Sequence, residues 1–221
     1  LTAAALLCLA AFRPALAAGG GLYALDEVGV EITMPANLLV FTRAVAEDDP
    51  DLALIEMTRG ELLDIMEEQE IYLNVLEENG EYEIVLTVSK SPVVSMSGLS
   101  EEEFRQSMEE MEKGFADVGA KLTGCVEYGH GQSRFLELRF DYTEDNYTTF
   151  GLQYYTIYNN RAVNVTLHSY LGEITRAQEA VMKTVVDGMR FTEEPKKQTF
   201  GGGALLNITG VGSLDSVLSF A

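Results

Sequence analysis

Residues 148–170 read TTFGLQYYTIYNNRAVNVTLHSY, and this stretch decides the fold class because two extended runs flank the dipeptide Asn159-Asn160. Asparagine tolerates the positive φ angles of a two-residue hairpin turn, so the dipeptide predicts a tight β-hairpin. Such a turn gives the hairpin one mostly apolar face, made of the pairs Thr156–Val163, Tyr154–Val165 and Leu152–Leu167. That pattern is typical of an antiparallel strand pair with one face buried.

The opposite face of this hairpin is more polar and supplies the candidate site. It combines aromatic area with hydrogen-bonding groups around a cross-strand glycine, which is the usual lining of a ligand site. We interpret it as a ligand-facing or partner-facing surface, made of Gly151, Gln153, Tyr155, Asn164, Thr166 and His168. The alternative is that these side chains are solvated or meet a covering helix.

A second hairpin is predicted around Asn79-Gly80, the strongest short hairpin signal. A two-residue turn gives it an apolar face as well, with the pairs Val75–Ile84, Leu73–Leu86 and Ile71–Val88. Because two separate hairpins show the same pattern, the sequence predicts an antiparallel sheet.

Three capping boxes mark the starts of three helices. In this motif a Ser or Thr and a Glu or Gln three residues later satisfy free backbone N–H groups reciprocally. The boxes are Thr58–Glu61, Ser100–Glu103 and Thr175–Gln178. The helices should end near Gln69, Gly119 and Gly188. The second carries an apolar stripe at helical spacing, namely Phe104, Met108, Met111, Phe115 and Val118.

Further extended runs lie outside the two hairpins and complete the set of predicted strands. They span residues 28–35, 38–43, 121–128, 133–142 and 189–193. The strands follow one another through hairpins rather than crossover helices. We therefore expect an α+β fold in one domain, residues 22–193, with a mainly antiparallel β-sheet flanked by helices.

Three stretches resemble the PsbP-like family, part of an α/β/α sandwich superfamily shared with a eukaryotic Ran-binding protein. They are the opening strand 29–35 (GVEITMP), the hairpin 152–158 with 165–167, and the closing turn 185–191 (VVDGMRF). The resemblance implies the sandwich fold over residues 28–193 and non-catalytic, partner-binding or envelope roles. The chain departs from the family at Leu38 and Leu39, where the family often has a tryptophan.

The two ends of the chain differ from its middle. Residues 1–17 contain a short apolar block followed by Ala15-Leu16-Ala17, the pattern of a signal-peptide cleavage site, without the basic segment that normally precedes it. We interpret them as a clipped signal peptide, so the protein should be extracytoplasmic, secreted or associated with the envelope. Residues 194–221 are interpreted as a glycine-rich flexible tail, or alternatively as a truncated anchor segment.

Charge excludes some classes of partner. The chain has 15 Lys and Arg against 35 Asp and Glu, a net charge of −20. Such a protein lacks the basic surface that nucleic acids require, and anionic lipid headgroups would repel it. Residues 44–83 hold 14 acidic residues and one basic residue, Arg59, so the excess should form one negative face that suits a basic partner.

Catalysis has little support in the sequence. The P-loop, G-x-S-x-G and H-E-x-x-H motifs are absent, and we predict no cofactor and no metal. Cys125, His130 and His168 form an alternative, a cryptic enzyme or metal site, although zinc or a thiolate nucleophile needs further groups. The preferred interpretation is a buried free thiol and a histidine in a surface loop.

Two weaker signals concern cations and glycans. Residues 48–51 and 141–146 are acidic turns without the spacing of a calcium loop, which leaves a cation-responsive acidic protein as a further alternative. Asn146, Asn164 and Asn207 begin glycosylation sequons. The function we expect is therefore that of an exported, non-enzymatic envelope protein that binds a protein partner or a small ligand.

Overall fold

The computed structural model describes residues 20–144 and 147–196. It contains ten strands and three α-helices in these ranges. The strands are β1 (Gly21–Leu25), β2 (Val30–Met34), β3 (Leu38–Thr42), β4 (Ile71–Glu77), β5 (Tyr82–Lys90), β6 (Ala120–His130), β7 (Ser133–Glu144), β8 (Tyr147–Tyr158), β9 (Arg161–Ser169) and β10 (Arg190–Phe191). The helices are α1 (Arg59–Glu68), α2 (Glu101–Asp117) and α3 (Arg176–Asp187). The predicted signal peptide and residues 197–221 lie outside the described ranges.

Two antiparallel sheets organise these strands. Seven strands form the larger sheet in the order β3-β4-β5-β9-β8-β7-β6, and three form the smaller one in the order β1-β2-β10. Strands β5 and β9 pair along their whole length, so the two predicted hairpins become neighbours in one sheet. The predicted α+β fold with a mainly antiparallel sheet and flanking helices is confirmed.

The hairpin β8–β9 has the register that the sequence predicts. Leu152, Tyr154 and Thr156 pair with Leu167, Val165 and Val163 in that order. Asn159 and Asn160 both adopt positive φ angles, 53° and 66°, as a mirror-image two-residue turn requires.

The first hairpin differs from its prediction at both ends. Gly80 is at a φ angle of 70° but Asn79 is not among the residues with positive φ, and the Gly80 N–H donates to the Glu77 carbonyl. Only one of the two turn residues therefore has a positive φ angle, although Val75–Ile84 and Leu73–Leu86 pair as predicted. Ile71 pairs with Thr87 rather than Val88, because a register shift interrupts β4 between residues 71 and 73.

All three capping boxes form as predicted, and they set the starts of α1, α2 and α3. Helix α1 ends at its C-cap residue Gln69, and Gly119, with a φ angle of 79°, lies just after the end of α2.

Strand β1 was not predicted. It is an edge strand without β-branched residues, and Leu22 within it is 61 % exposed. No described helix is long and apolar enough to cross a bilayer.

The large sheet is covered on both faces, by different layers. One face, the α3 face, packs against α3 and the small sheet; its core includes Ile84, Leu152, Val165, Ile32 and Val185. The other face, the α1/α2 face, carries two separate apolar clusters. The α2 cluster includes Phe104, Phe115, Leu138, Phe140 and Tyr155, and the α1 cluster includes Phe41, Leu62, Met66, Ile71 and Val85.

Candidate functional site: a buried polar layer on the central strands

The polar residues predicted as a site lie together, and they are inside the protein. Gln153, Tyr155, Asn164, Thr166 and His168 share the α1/α2 face of β8 and β9, and each is at most 4 % exposed. The expectation of an accessible surface is therefore wrong. In this arrangement these side chains cannot contact a protein partner directly, and a ligand at this site would be enclosed.

Gly151 is part of the packing of this layer rather than a ligand group. It stands between Phe140 on β7 and His168 on β9, and the Phe140 ring lies across it. A Cβ atom at this position would overlap the ring. The missing side chain thus lets Phe140 reach toward His168, with their ring centroids 6.4 Å apart in an edge-on arrangement.

A buried acid that the sequence did not single out completes the site. Glu83 on β5 lies directly opposite His168 on β9, and its Oε1 is 3.1 Å from His168 Nδ1. Asn74 Nδ2 donates to the other oxygen, Glu83 Oε2, at 3.4 Å. The Tyr170 hydroxyl is also hydrogen-bonded to Glu83, and burial together with this carboxylate raises the pKa of Tyr170. The pairing of β5 with β9 brings these groups together, and that pairing joins segments about 80 residues apart.

A second chain of hydrogen bonds runs across the same strands. The Gln153 side-chain amide donates to Asn164 Oδ1, and Asn164 Nδ2 donates to Thr87 Oγ1 at 3.3 Å. In this arrangement the Gln153 Nε2 is occupied by Asn164, and the Gln153 Oε1 points away from it. The polar layer is therefore ordered by its own contacts.

Three atoms of the layer have no hydrogen-bond partner although they are buried. They are Gln153 Oε1, Thr166 Oγ1 and His168 Nε2. Gln153 and Thr166 are directly opposite each other on β8 and β9, and His168 lies two residues further along the same face. Most buried polar groups in native proteins are hydrogen-bonded, and each exception calls for an explanation, such as a bound molecule.

The layer lies between the two apolar clusters of the α1/α2 face. Val85 on β5 belongs to the α1 cluster, and Phe140 and Tyr155 belong to the α2 cluster. Polar groups converging between apolar walls are typical of small-molecule sites, which often lie between helices. The arrangement offers hydrogen-bonding groups that a small polar molecule could use.

The structure does not bring Cys125, His130 and His168 together. Cys125 is on β6, and two strands separate it from His168 on β9, a distance of roughly 14 Å at about 4.8 Å per strand. His130 ends β6 rather than lying in a surface loop, and its ring contacts Phe135 on the α3 face. Burial and the nearby Glu112 raise the pKa of Cys125 to about 11, the opposite of what a nucleophilic thiol needs.

The structure also locates one of the two acidic turns and one of the glycosylation sequons. Across residues 20–144 and 147–196, no group of three potential ligands is arranged to hold a metal ion. Asp49 caps the short turn that follows it by accepting a hydrogen bond from the Asp51 N–H. Asn164 is buried, so its sequon is closed to glycosylation; Asn146 and Asn207 lie outside the described residues.

Comparison with known proteins gives structural likeness only. No family model and no curated protein matches the sequence. A cyanobacterial PsbP (CyanoP) from Synechocystis sp. PCC 6803 is similar over 83 % of this chain and 98 % of that one, with a TM-score of 0.46 and 13 % identity. A Pseudomonas aeruginosa protein of unknown function is similar over 81 % and 99 %, with a TM-score of 0.35 and 11 % identity. The first is a PsbP protein, the family that the sequence resembles, and neither likeness carries a conclusion about function.

Proposed function

We propose that this chain is an exported, non-catalytic binding protein that encloses a small polar ligand in the buried polar layer. The observation that carries the proposal is the set of three unpartnered atoms on Gln153, Thr166 and His168. A buried polar atom without a partner costs about 1–3 kcal/mol, and three of them side by side are a cost that a bound molecule would remove.

The chemistry of the layer supports binding rather than turnover. Cys125, which sequence reasoning offered as a nucleophile, is remote from the layer and holds its proton more tightly than a free thiol. Glu83 and His168 contact each other, and further contacts from Asn74 and Tyr170 fix the carboxylate in place. Groups held in this way orient a ligand well.

The test is thermal denaturation with small probes of different chemistry. Wild type and the near-isosteric variant Thr166→Val are melted in methylammonium chloride, ethylene glycol and sodium formate, each against sodium chloride at equal ionic strength. We expect at least one probe to raise the Tm of wild type and to have a smaller effect on the variant, since a ligand that binds only the folded state stabilises it. Identical responses of the two proteins to all three probes would refute the proposal.

A second candidate function, contact with a basic partner, has a specific observation in its favour. On the α1/α2 face, α1 carries four acidic residues against one basic and α2 seven against two, whereas α3 on the opposite face carries two of each. The helices give the protein one negative side. The matching test is retention on an immobilised poly-lysine column for wild type and for a variant with Glu109, Glu110 and Glu112 changed to Gln. Equal elution salt for both would exclude α2 as the contact.

A further inference from the structure

The chemical class of the ligand follows from the hydrogen bonds around Glu83, given the enclosed site of the proposed function. The carboxylate faces three donors: His168 Nδ1, Asn74 Nδ2 and the Tyr170 hydroxyl. His168 Nδ1 lies 3.1 Å from Glu83 Oε1, within hydrogen-bond distance of this acceptor. When the single proton of an uncharged imidazole is on Nδ1 and donated to Glu83, Nε2 is left with a lone pair.

The unpartnered atoms then form a set of acceptors. His168 Nε2 accepts by this assignment, and Gln153 Oε1 accepts because the amide nitrogen already donates to Asn164. Thr166 Oγ1 is a hydroxyl oxygen with free lone pairs. A ligand that fits can supply up to three donors from one end, one to each of these three atoms.

The charge of Glu83 narrows the chemical class of the ligand further. Among the described residues, the only ion-pair partner of the buried Glu83 carboxylate is His168, and a histidine carries the opposite charge only when both of its ring nitrogens hold a proton. A buried charge is costly unless an opposite charge is near it. A cationic ligand would supply that charge, whereas a carboxylate or phosphate would meet a like charge.

We propose that the layer binds the primary ammonium group of a small aliphatic amine. Its three N–H groups match the three acceptors on Gln153, Thr166 and His168, and its charge complements Glu83. The apolar walls on either side, with Val85 and Phe140, suit the short alkyl part of such a molecule. This inference names the ligand class of the proposed binding site and rests on it.

The experiment compares cations that differ only in their donors. Methylammonium and tetramethylammonium chloride carry the same charge, but only the first has N–H groups. We expect methylammonium to raise the Tm of wild type by roughly 5–10 °C at a hundredfold excess over its Kd. Tetramethylammonium should act no differently from sodium chloride at the same ionic strength.

Variants assign the effect to the layer. Thr166→Val should weaken methylammonium binding by roughly 10–100-fold, since it removes one hydrogen bond to a charged donor. Thr166→Ser keeps the hydroxyl and should retain binding. Thr156→Val is the matched control, because Thr156 is equally buried but lies on the α3 face beside Ser133.

The outcomes separate this inference from the proposed function. Methylammonium binding that depends on Thr166 supports both. A response to ethylene glycol or formate that depends on Thr166, without one to methylammonium, overturns the ammonium assignment and leaves the binding function standing. A uniform lack of response to every probe overturns both, and ordered water would then be the occupant of the layer.

Discussion

Replacing Thr166 by valine in the ligand-free protein should make it more stable, which is unusual for a change to a buried residue. Thr166 Oγ1 has no partner, and an unsatisfied buried hydroxyl costs the folded state about 1–3 kcal/mol. Valine has nearly the same shape and removes that cost. We therefore expect the free energy of unfolding to rise by about 1–3 kcal/mol, or the Tm by roughly 2–4 °C per kcal/mol for a domain of this size.

The matched change Thr156→Val should have the opposite sign. Thr156 Oγ1 is 2.8 Å from Ser133 Oγ and donates to the Arg134 carbonyl at 2.6 Å. Valine would break both contacts and leave the carbonyl without this donor, at a cost of about 1–3 kcal/mol. The two isosteric changes, at equally buried threonines on opposite faces of one sheet, should thus differ by several kcal/mol.

The assay is urea unfolding followed by far-UV circular dichroism, because the chain has no tryptophan. Each protein is first unfolded, dialysed and refolded, so that no ligand from the expression host remains. The dependence of the unfolding free energy on urea concentration should be the same for all three proteins, so that a change in the transition midpoint reports a change in stability. If Thr166→Val lowers stability as much as Thr156→Val does, the Thr166 hydroxyl has a partner and the reasoning about the polar layer fails.

Three other predictions follow from single contacts. Gly151→Ala should cost about 3 kcal/mol or more in urea unfolding because its methyl group would overlap a core ring, whereas Gly129→Ala, with open space around it, should cost under about 1 kcal/mol. Folding raises the pKa of Cys125 from 9.0 to about 11, so the protonated thiol contributes to the stability of the folded state fully below pH 9, and this contribution is lost as the pH rises toward 11. Melting temperatures of wild type and Cys125→Ala over a pH series check this prediction, and equal pH profiles of the two proteins would contradict it. Ser100→Ala should destabilise the protein by about 1 kcal/mol by removing a helix cap, and should raise the lowered pKa of Glu103 toward its usual value, which carboxyl NMR titration would detect; an unchanged pKa would count against the capping box.

The parts of the fold that sequence reasoning predicted are those governed by neighbours in the chain. Both asparagines of the second turn adopt the backbone that their residue type allows, and alternation then gives the pairs of β8 with β9. The capping boxes are equally local, since each joins residues three positions apart. The backbone preferences of turn residues and the hydrogen bonds of helix caps depend only on residues close together in the chain. They can therefore be predicted from one sequence without knowledge of the tertiary packing.

Packing against distant elements accounts for the failures. Alternation places Ile71 on the same face as Leu73, but in the structure Ile71 lies in the α1 cluster and Leu73 in the core of the α3 face. The register shift of β4 between these residues allows the change of face. The burial of Ile71 beneath α1 thus breaks the alternation of faces along β4, and no pattern in the local sequence predicts this break.

The polar residues that the sequence predicts on one face of the hairpin do share one face, but that face is buried. Aromatic and hydrogen-bonding side chains around a glycine indicate a ligand-facing or partner-facing surface when only the two strands of the hairpin are considered. Pairing of β5 with β9 places Glu83 against His168 and puts the face in the middle of a seven-stranded sheet. The sequence contains the residues of the site, but the strand neighbours that bury them are set by long-range topology.

The pairing of β2 with β10 has a consequence for how the chain acquires its structure. Arg190 on β10 donates a hydrogen bond to the carboxylate of Glu31 on β2, and the two residues are 159 positions apart in the chain. Strand β9 ends at Ser169 and β10 ends at Phe191, so a ribosome adding about 5–20 residues per second completes β10 roughly 1–4 s after the last strand of the large sheet. During that interval α3 is not yet available to cover the α3 face, to which Ile84, Leu152 and Val165 belong. Because contacts between distant residues also slow folding, the last elements to be synthesised determine how long a large apolar surface stays open to chaperones or aggregation.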